Sequence, residues 1–223
     1  MLKIFRLLIK QELKLVIRQP VMLFAPVGFV LVSLLLFILG LEPSAQQVRA
    51  IAPSLVITLT LLSALIQTDQ LFRPIHQSKQ SIHFLLGKLS LSQLVWLRTI
   101  WHFTVTGIPI LLLSPILALM LYLNMQEFLY FFIVLLLVTS ILSLWAVFCG
   151  AITSDTAKGH LIAPILILPM LIPTLICATM ALKSALALGP FEAFAALLLA
   201  NLLVLIAILP WVVSKVLDAI WRG

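Results

Sequence analysis

The chain has 223 residues, of which 63% are hydrophobic and only 9% are charged. So few charged side chains cannot cover the surface of a water-soluble domain, and the composition therefore indicates an integral membrane protein. The net charge of +7 includes no basic patch interleaved with aromatic residues on a soluble domain, which argues against nucleic-acid binding.

Residues 1–19 form a basic segment ahead of the first apolar stretch. Its five cations recur at steps of three or four residues, which places them on one face of a helix. They are Lys3, Arg6, Lys10, Lys14 and Arg18. Apolar side chains fill much of the remainder, so we predict an amphipathic helix that lies in the headgroup layer in contact with lipid. An unstructured basic leader that only orients the protein is the alternative.

Six apolar stretches without Lys, Arg, Asp or Glu follow. They cover residues 21–40, 50–66, 103–126, 128–152, 161–182 and 193–214. A bilayer core about 30 Å thick needs about 20 helical residues, so five stretches can cross outright, and 50–66 can cross with help from Gln67 and Thr68. We predict an all-α, polytopic membrane protein with six transmembrane helices, in which residues 1–223 form a single transmembrane domain.

The basic residues divide unequally between the two sides of such a protein. With six spans, twelve of them lie on the side of both termini, and only Arg49 and Lys183 lie on the other. Lys and Arg are enriched in cytoplasmic segments of membrane proteins. Both termini and the 67–99 loop are therefore predicted to be cytoplasmic.

The 67–99 loop is the only long polar segment. It mixes polar residues such as Gln77 and Lys79 with apolar residues such as Ile82 and Leu86. This mixture suits a short helix that lies on the membrane surface or in the groove of a partner. We predict that the docking surface of this compact protein lies here, on a helix within residues 74–92.

Prolines cluster within the predicted spans. Each interrupts the hydrogen-bond ladder of its helix, and in a membrane the freed carbonyls must be satisfied by neighbouring helices or side chains. The fifth span, which contains Pro164, Pro169 and Pro173, should therefore be kinked and should face other parts of the protein. Pro109 and Pro115 in the third span join Pro169 and Pro173 as candidates for setting helix shape. A hinge is the alternative to a static role.

The spans contain hydroxyl groups but no charged side chains. Ion-coupled carriers place ionisable residues at mid-membrane, so secondary transport is disfavoured. The hydroxyls are expected to pack between helices or to bond to their own backbone. No phosphate-binding P-loop is present, because Ile82 stands where a glycine would have to precede Gly87 and Lys88, and Leu89 follows. Another chain must therefore supply the energy for any active transport.

Histidine and cysteine give no sign of a metal or haem site. The histidines are His76, His83, His102 and His160. None pairs with a second histidine across a cavity by spacing, so interfacial or docking roles are predicted rather than iron ligation. Cys149 and Cys177 lie in apolar stretches and are predicted to be small buried hydrophobes. We predict no catalytic, cofactor-binding or metal-binding residue.

Three segments of the chain resemble a known family. They are IAPSLVITLTLLSALIQTDQLFR (51–73), VTGIPILLLSPILALML (105–121) and LIAPILILPMLIPTLICATMA (161–181). In this order they are similar to the corresponding stretches of the CcmB family, the membrane subunit of the haem exporter in cytochrome c maturation. The size of the chain and the six-span layout match as well.

This resemblance implies an ABC-2-like permease of an ABC transporter in the bacterial inner membrane. It implies a cytoplasmic ATPase subunit that holds the ATP, a haem-handling membrane subunit with a tryptophan-rich motif, a small single-span subunit and a periplasmic haem chaperone. Haem is then the substrate, or ATP turnover only releases the loaded chaperone. Because ABC ATPases act in pairs, a homodimer of this chain is expected.

With such an ATPase as partner, the 67–99 loop should hold the coupling residues. The candidates are Leu71, Phe72, Arg73, Ile82, Leu85 and Leu86. Residues 74–85, PIHQSKQSIHFL, lack the acidic stretch that usually follows LFR in the family, which suggests a co-adapted ATPase surface. A permease for another amphipathic substrate and a membrane scaffold that transports nothing are the alternative functions.

Overall fold

The computed structural model describes residues 21–41, 44–65, 68, 71–72, 75, 90–156, 159–187 and 189–222, and no strand occurs among them. The helices are α1 (Val21–Leu41), α2 (Ala45–Ala64), α3 (Leu91–His102), α4 (Ile108–Met120), α5 (Met125–Ile152), α6 (Gly159–Leu186) and α7 (Phe191–Arg222). A π-helical turn at Phe103–Gly107 joins α3 to α4 in one continuous helix. The predicted interfacial helix at 1–19 lies outside the described residues.

Five helical stretches among the described residues are long and apolar enough to cross a membrane. They are Leu23–Leu41, Leu91–Met120, Met125–Ile152, Ile162–Leu186 and Phe191–Trp221. The expectation of an all-helical, multi-pass protein is thereby confirmed. The predicted 50–66 span falls largely in α2, whose apolar part, Ser54–Ala64, is shorter than the other five.

Three helices begin at reciprocal capping boxes that fix their start in the sequence. The pairs are Ser44 and Gln47 for α2, Ser90 and Gln93 for α3, and Asn124 and Glu127 for α5. Because α3 begins directly after Ser90, the helical stretch that contains most of the apolar segment 103–126 runs over Leu91–Met120. The stretch between α2 and α3, here called the α2–α3 connection, is correspondingly shorter than the predicted 67–99 loop.

Helix α5 is the centre of the bundle. It packs against α2, α3, α4, α6 and α7, and it is apolar on every side, as is typical of a helix in the middle of a membrane bundle. Its buried residues include Phe131, Val138 and Ile141, which are shielded by the neighbouring helices. We call the end of the bundle where α2 ends and α3 begins the loop end, and the opposite end, where α4 turns into α5, the far end.

One face of α6 packs on the bundle, and that face does not contain its central prolines. The buried residues recur at steps of three and four, and they are Ala163, Ile167, Leu171, Thr174, Ala178 and Ala181. Pro169 and Pro173 lie on the opposite, exposed face of a helix that continues through both of them. Helix α6 thus packs on the rest of the chain through small and aliphatic residues and not through these two prolines.

The turn between α4 and α5 is fastened by a basic side chain from α2. Tyr122 adopts a left-handed conformation with φ of 54°, while Leu123 N–H donates to Ala118 O and Tyr122 N–H donates to Leu119 O, as in a Schellman motif. Arg49 donates to the Tyr122 carbonyl at 3.0 Å and forms an ion pair with Glu127. Arg49 therefore stabilises a turn in which Tyr122 takes the left-handed position that glycine usually occupies.

Replacing Arg49 by Met should lower the free energy of unfolding by about 1 to 2 kcal/mol, because an ion pair and a bond to a carbonyl are lost together. Unfolding of the detergent-solubilised protein by increasing SDS would measure this. Lys183→Met is the control, since Lys183 is an exposed cation near the same end of the bundle. An equal loss in both variants would contradict the role given to Arg49.

The hydroxyls within the helices bond mainly to the backbone of their own helix, as predicted. Donors to a carbonyl three or four residues earlier include Thr58, Ser63, Thr104, Ser114, Thr139, Ser140, Ser143 and Thr179. Hydrogen bonds between side chains of different helices are fewer. One of them runs from Asn201 Nδ2 on α7 to Thr174 Oγ1 on α6 at 3.2 Å. The buried hydroxyls of Thr60 and Thr106 have no hydrogen-bond partner in the described part of the chain. Arg98 on α3 is buried as well, so a cationic side chain also lies among the packed helices.

Candidate functional site

A second hydrophobic cluster, separate from the main core, lies at the loop end. Leu71, Phe72 and Ile75 of the α2–α3 connection enter it. They pack with residues of α3, α5 and α7, namely Leu94, Val95, Ala146, Val147, Ala151, Val213 and Leu217. We call this set the loop-end cluster. Because it joins four separate parts of the chain, it fixes the described part of the connection to the bundle.

Two of the predicted ATPase-coupling residues belong to this cluster. Leu71 is 3% exposed and Phe72 is fully buried, so their side chains contact the protein's own helices and do not form part of an exposed docking surface. The other four candidates, Arg73, Ile82, Leu85 and Leu86, lie outside the described residues. The structure therefore brings Leu71 and Phe72 together as an anchor.

The last turn of α2 is held from two sides at a single carbonyl. The carbonyls at a helix C-terminus have no partner within the helix and must find one elsewhere. Ala64 O accepts from Thr68 Oγ1 at 3.2 Å, and it lies 3.4 Å from Nε2 of His102 on α3. Nδ1 of the same ring lies 3.1 Å from Ser143 Oγ on α5. One histidine thus connects α2, α3 and α5.

A close backbone contact adds a second attachment. A Cβ atom built on Gly150 of α5 would lie 2.7 Å from the Thr68 carbonyl oxygen and 3.3 Å from Leu71 Cβ. Side chains essentially never approach a backbone atom this closely, so only glycine lets the connection lie against α5. We call Ala64, Thr68, His102, Ser143 and Gly150 the clamp.

The partners of His102 determine its tautomer. Ala64 O can only accept, so Nε2 must carry the proton that is donated to it. A charged ring is costly in a membrane interior, and in the neutral ring Nδ1 then accepts from Ser143 Oγ. The Ser143 hydroxyl also lies 2.9 Å from Thr139 O, so its proton has two acceptors between which it can alternate.

The position of His102 corrects the interfacial role predicted for it. The side chain is 1% exposed and lies in the middle of the Leu91–Met120 helix, because that helix extends well before the apolar stretch that begins at 103. His76 and His83 lie outside the described residues, and His160 lies in the first turn of α6. Among the described residues, no three His, Cys, Asp or Glu side chains are grouped as metal ligands.

Pro109 and Pro115 lie in α4, on the far-end side of the clamp. One residue, Ile108, separates Pro109 from the π-helical turn. The Ile108 N–H donates to Phe103 O at this junction. A proline has no N–H to donate, so the change from α to π geometry occurs where the ladder would be broken. Pro115 is exposed on α4, and these prolines are not brought together with Pro169 and Pro173.

Gly150 and Ser143 are site residues that the sequence interpretation missed. Neither belongs to a recognisable motif, since a lone glycine or serine in an apolar helix is ordinarily a packing residue. The available signal was the arrangement of Thr68 and His102 near the ends of two predicted spans. That arrangement becomes informative only when α2, α3 and α5 are known to be neighbours.

Comparison with known proteins identifies the family of this chain. The family model described as "CcmB protein" matches residues 3–219. The protein named heme exporter protein B of Pseudomonas aeruginosa is 33% identical over 186 residues, which is 83% of each chain. Its namesake in Haemophilus influenzae is 32% identical over 182 residues, 82% of each chain, and that of Escherichia coli K12 is 32% identical over 196 residues, covering 88% of this chain and 87% of the relative. This chain belongs to the CcmB family.

Proposed function

We propose that this chain is the membrane-spanning permease subunit of an ATP-driven haem exporter complex that serves c-type cytochrome maturation. Family membership and the name of the relatives support haem as the substrate. The chain has no P-loop sequence, so ATP is bound and hydrolysed by a separate cytoplasmic ABC ATPase subunit. The permease itself is not an enzyme.

The observation that carries this proposal is the attachment of the α2–α3 connection to the bundle. Leu71, Phe72 and Ile75 are buried against α3, α5 and α7, and the clamp holds the end of α2. A subunit driven from outside needs a mechanical link between its docking segment and its spans. The loop-end cluster is suited to that role, because movement of the connection would displace three helices together.

Six spans with both termini in the cytoplasm complete the proposed ABC-2-like architecture in the inner membrane. In this arrangement α2 is a span in addition to the five longer helices. Its apolar part is short, and the helix continues toward the far end through Arg49, whose charge is paired with that of Glu127. The loop end is then cytoplasmic, and the far end faces the periplasm, where a haem chaperone would be loaded or released. Basic residues counted in the sequence support this orientation.

The proposed partners besides the ATPase are a haem-handling membrane subunit with a tryptophan-rich motif, a small single-span subunit and the periplasmic chaperone. Two modes of action remain for the complex. Either haem passes along this subunit, or ATP turnover releases the loaded chaperone from the partner. Haem flux into proteoliposomes that contain only this chain and the ATPase separates the two modes.

We expect a homodimer of this chain with two ATPase subunits. The exposed face of α6 supports it, because Pro169 and Pro173 leave the carbonyls of residues 165 and 169 without the usual helical donor, and a facing helix can supply partners. Native mass spectrometry of the purified complex should show two copies of the chain. One copy per complex would contradict the expectation.

Residues 74–92 should dock on the ATPase through a coupling helix. Replacing Ile82 and Leu86 by Asp should weaken ATPase association by several kcal/mol, because each change would bury a charge in an apolar contact. Recovery of the ATPase in a pull-down from membranes measures this, with Ser81→Asp as the control in the same segment. Unchanged recovery with the double variant normally inserted would contradict the assignment.

The overall proposal is tested by deleting the gene and restoring it. Loss of c-type cytochromes on deletion, and their recovery on re-expression, is the expected result. Copurification of an ATPase distinguishes a permease from a scaffold. Normal cytochrome levels in the deletion strain would instead favour another amphipathic substrate.

A further inference from the structure

We propose that His102 is a positioning residue that transmits movement of the α2–α3 connection to the third transmembrane helix through its hydrogen bond to the Ala64 carbonyl. This inference rests on the proposed function, since it requires an ATPase that moves the connection. The bond is placed where the connection leaves α2, and the residue that makes it belongs to a different transmembrane helix.

The first support is the geometry around the Ala64 carbonyl. Thr68 Oγ1 and His102 Nε2 converge on this one oxygen, so displacement of Thr68 pulls on the same atom that His102 holds. Gly150 lies against the Thr68 carbonyl on the other side. Thr68 is thereby held between α3 and α5.

The second support is the π-helical turn that begins directly after His102. Such turns are rare, occur mostly as single-turn insertions within α-helices and are frequent at functional sites. Gly107 ends the turn, and a Cβ there would lie 2.8 Å from the Phe103 ring, so the ring packs directly against the backbone of residue 107. The buried Thr106 hydroxyl has no hydrogen-bond partner in the described part of the chain. A buried hydroxyl without a partner in this arrangement can gain one if the turn changes its geometry.

These observations together define a link between two elements. The α2 end and α3 are joined at His102, and the π-helical turn separates α3 from α4, which runs on toward the far end. Tension applied at Thr68 would therefore act on the start of the turn. The His102–Ser143 contact keeps the ring oriented toward the Ala64 carbonyl, because it joins the ring to α5.

Two amide substitutions separate the roles of the two ring nitrogens. The Gln amide nitrogen reaches about as far from the backbone as Nε2, so His102→Gln can still donate to Ala64 O. The shorter Asn side chain reaches only the position of Nδ1, so His102→Asn can keep a contact with Ser143 while losing Ala64. Both variants place one neutral amide in the same buried position, which makes each the control for the other.

The experiment expresses each variant in a strain that lacks the wild-type gene and measures three quantities. They are the amount of protein in the membrane, the recovery of the ATPase in a pull-down, and the yield of c-type cytochrome. The rate of ATP hydrolysis by the purified complex is measured as well. For His102→Asn we expect normal protein, normal ATPase recovery and hydrolysis within twofold of wild type, but a cytochrome yield at least fivefold lower. For His102→Gln the yield should stay within twofold.

An equal cytochrome yield from the two variants, whether both are reduced or both are normal, would overturn the inference. Failure of the proposed function would give a different result from failure of this inference. In that case no ATPase would be recovered with the wild-type chain, and the wild-type chain would not restore c-type cytochromes. If His102→Asn does not accumulate, Thr68→Val is measured in its place. That variant keeps His102 and removes the other hydrogen bond to Ala64 O, and we expect a yield at least threefold lower with the ATPase recovered. An unchanged yield in Thr68→Val would equally overturn the inference.

Discussion

Replacing Phe72 by Ala should lower the free energy of unfolding by about 3 to 5 kcal/mol, which is the range for removing a fully buried aromatic ring. Phe72 is one of the largest side chains with no exposed surface, and its neighbours come from α3, α5 and α7. The surrounding backbone belongs to packed helices that cannot readily move into the vacated space. We therefore expect most of the loss to appear as reduced stability of the isolated subunit.

Unfolding of the detergent-solubilised chain, without any partner, measures this effect. Phe24→Ala is the matched control, because Phe24 is 70% exposed on α1 and should change the stability by less than about 1 kcal/mol. If Phe72 were instead a docking residue, Phe72→Ala would leave the isolated chain as stable as wild type and reduce only ATPase recovery. That outcome would contradict the anchoring role.

Replacing Gly150 by Ala should destabilise the protein by about 1 to 3 kcal/mol, which is the usual effect of overfilling a packed contact. The added Cβ would lie 2.7 Å from the Thr68 carbonyl, and that atom belongs to backbone that cannot rotate away. The connection must then separate from α5, which also loosens Leu71. Cytochrome maturation should fall at least tenfold, because the clamp and the loop-end cluster open together.

The sign of this effect is diagnostic, because Gly→Ala in a helix ordinarily favours the helix by about 1 kcal/mol. Gly28 and Gly40 provide the comparison, since a Cβ at either position has no other atom within 4 Å apart from the helix's own neighbouring backbone. Gly28→Ala and Gly40→Ala should leave stability and maturation at or above the wild-type level. A harmless Gly150→Ala would show that the connection does not lie against α5.

Those features that depend on local chemistry could be predicted from the sequence. Long uncharged stretches predict helices because every backbone polar group in a bilayer must be bonded within its own segment. The hydroxyls of Thr139 and Ser140 bond back to α5 for the same reason. Both conclusions need no knowledge of which helices are neighbours.

The candidate site depends on neighbours and could not be predicted in the same way. Leu71 and Phe72 follow a polar stretch, which is equally typical of a docking surface and of a buried anchor. The difference lies in the presence of α7 at the loop end, where Val213 and Leu217 cover them. His102 was assigned to an interface because the apolar stretch begins after it, whereas the capping box at Ser90 extends the helix further.

The prolines of α6 show the same dependence on neighbours. Their interrupted hydrogen-bond ladder predicts a protein-facing helix, but it does not indicate which face of that helix packs on the bundle. Small residues such as Ala163 and Ala178 occupy the packing face instead, because close helix packing in membranes favours small side chains. A sequence pattern locates a face but does not say whether this chain or a second copy covers it.

Hydrogen–deuterium exchange on the wild-type complex tests the central claim most directly, namely that the connection is attached to the bundle and moves with it. The Leu71 amide donates to Thr68 O and the Ile75 amide donates to Phe72 O, so both should be protected. Without nucleotide, peptides covering 68–75 should exchange within about tenfold of the rate of peptides covering the 146–151 end of α5, and ATP should change the protection of both segments together. Rapid exchange of 68–75 as an unprotected loop, with α5 unchanged by ATP, would contradict the account.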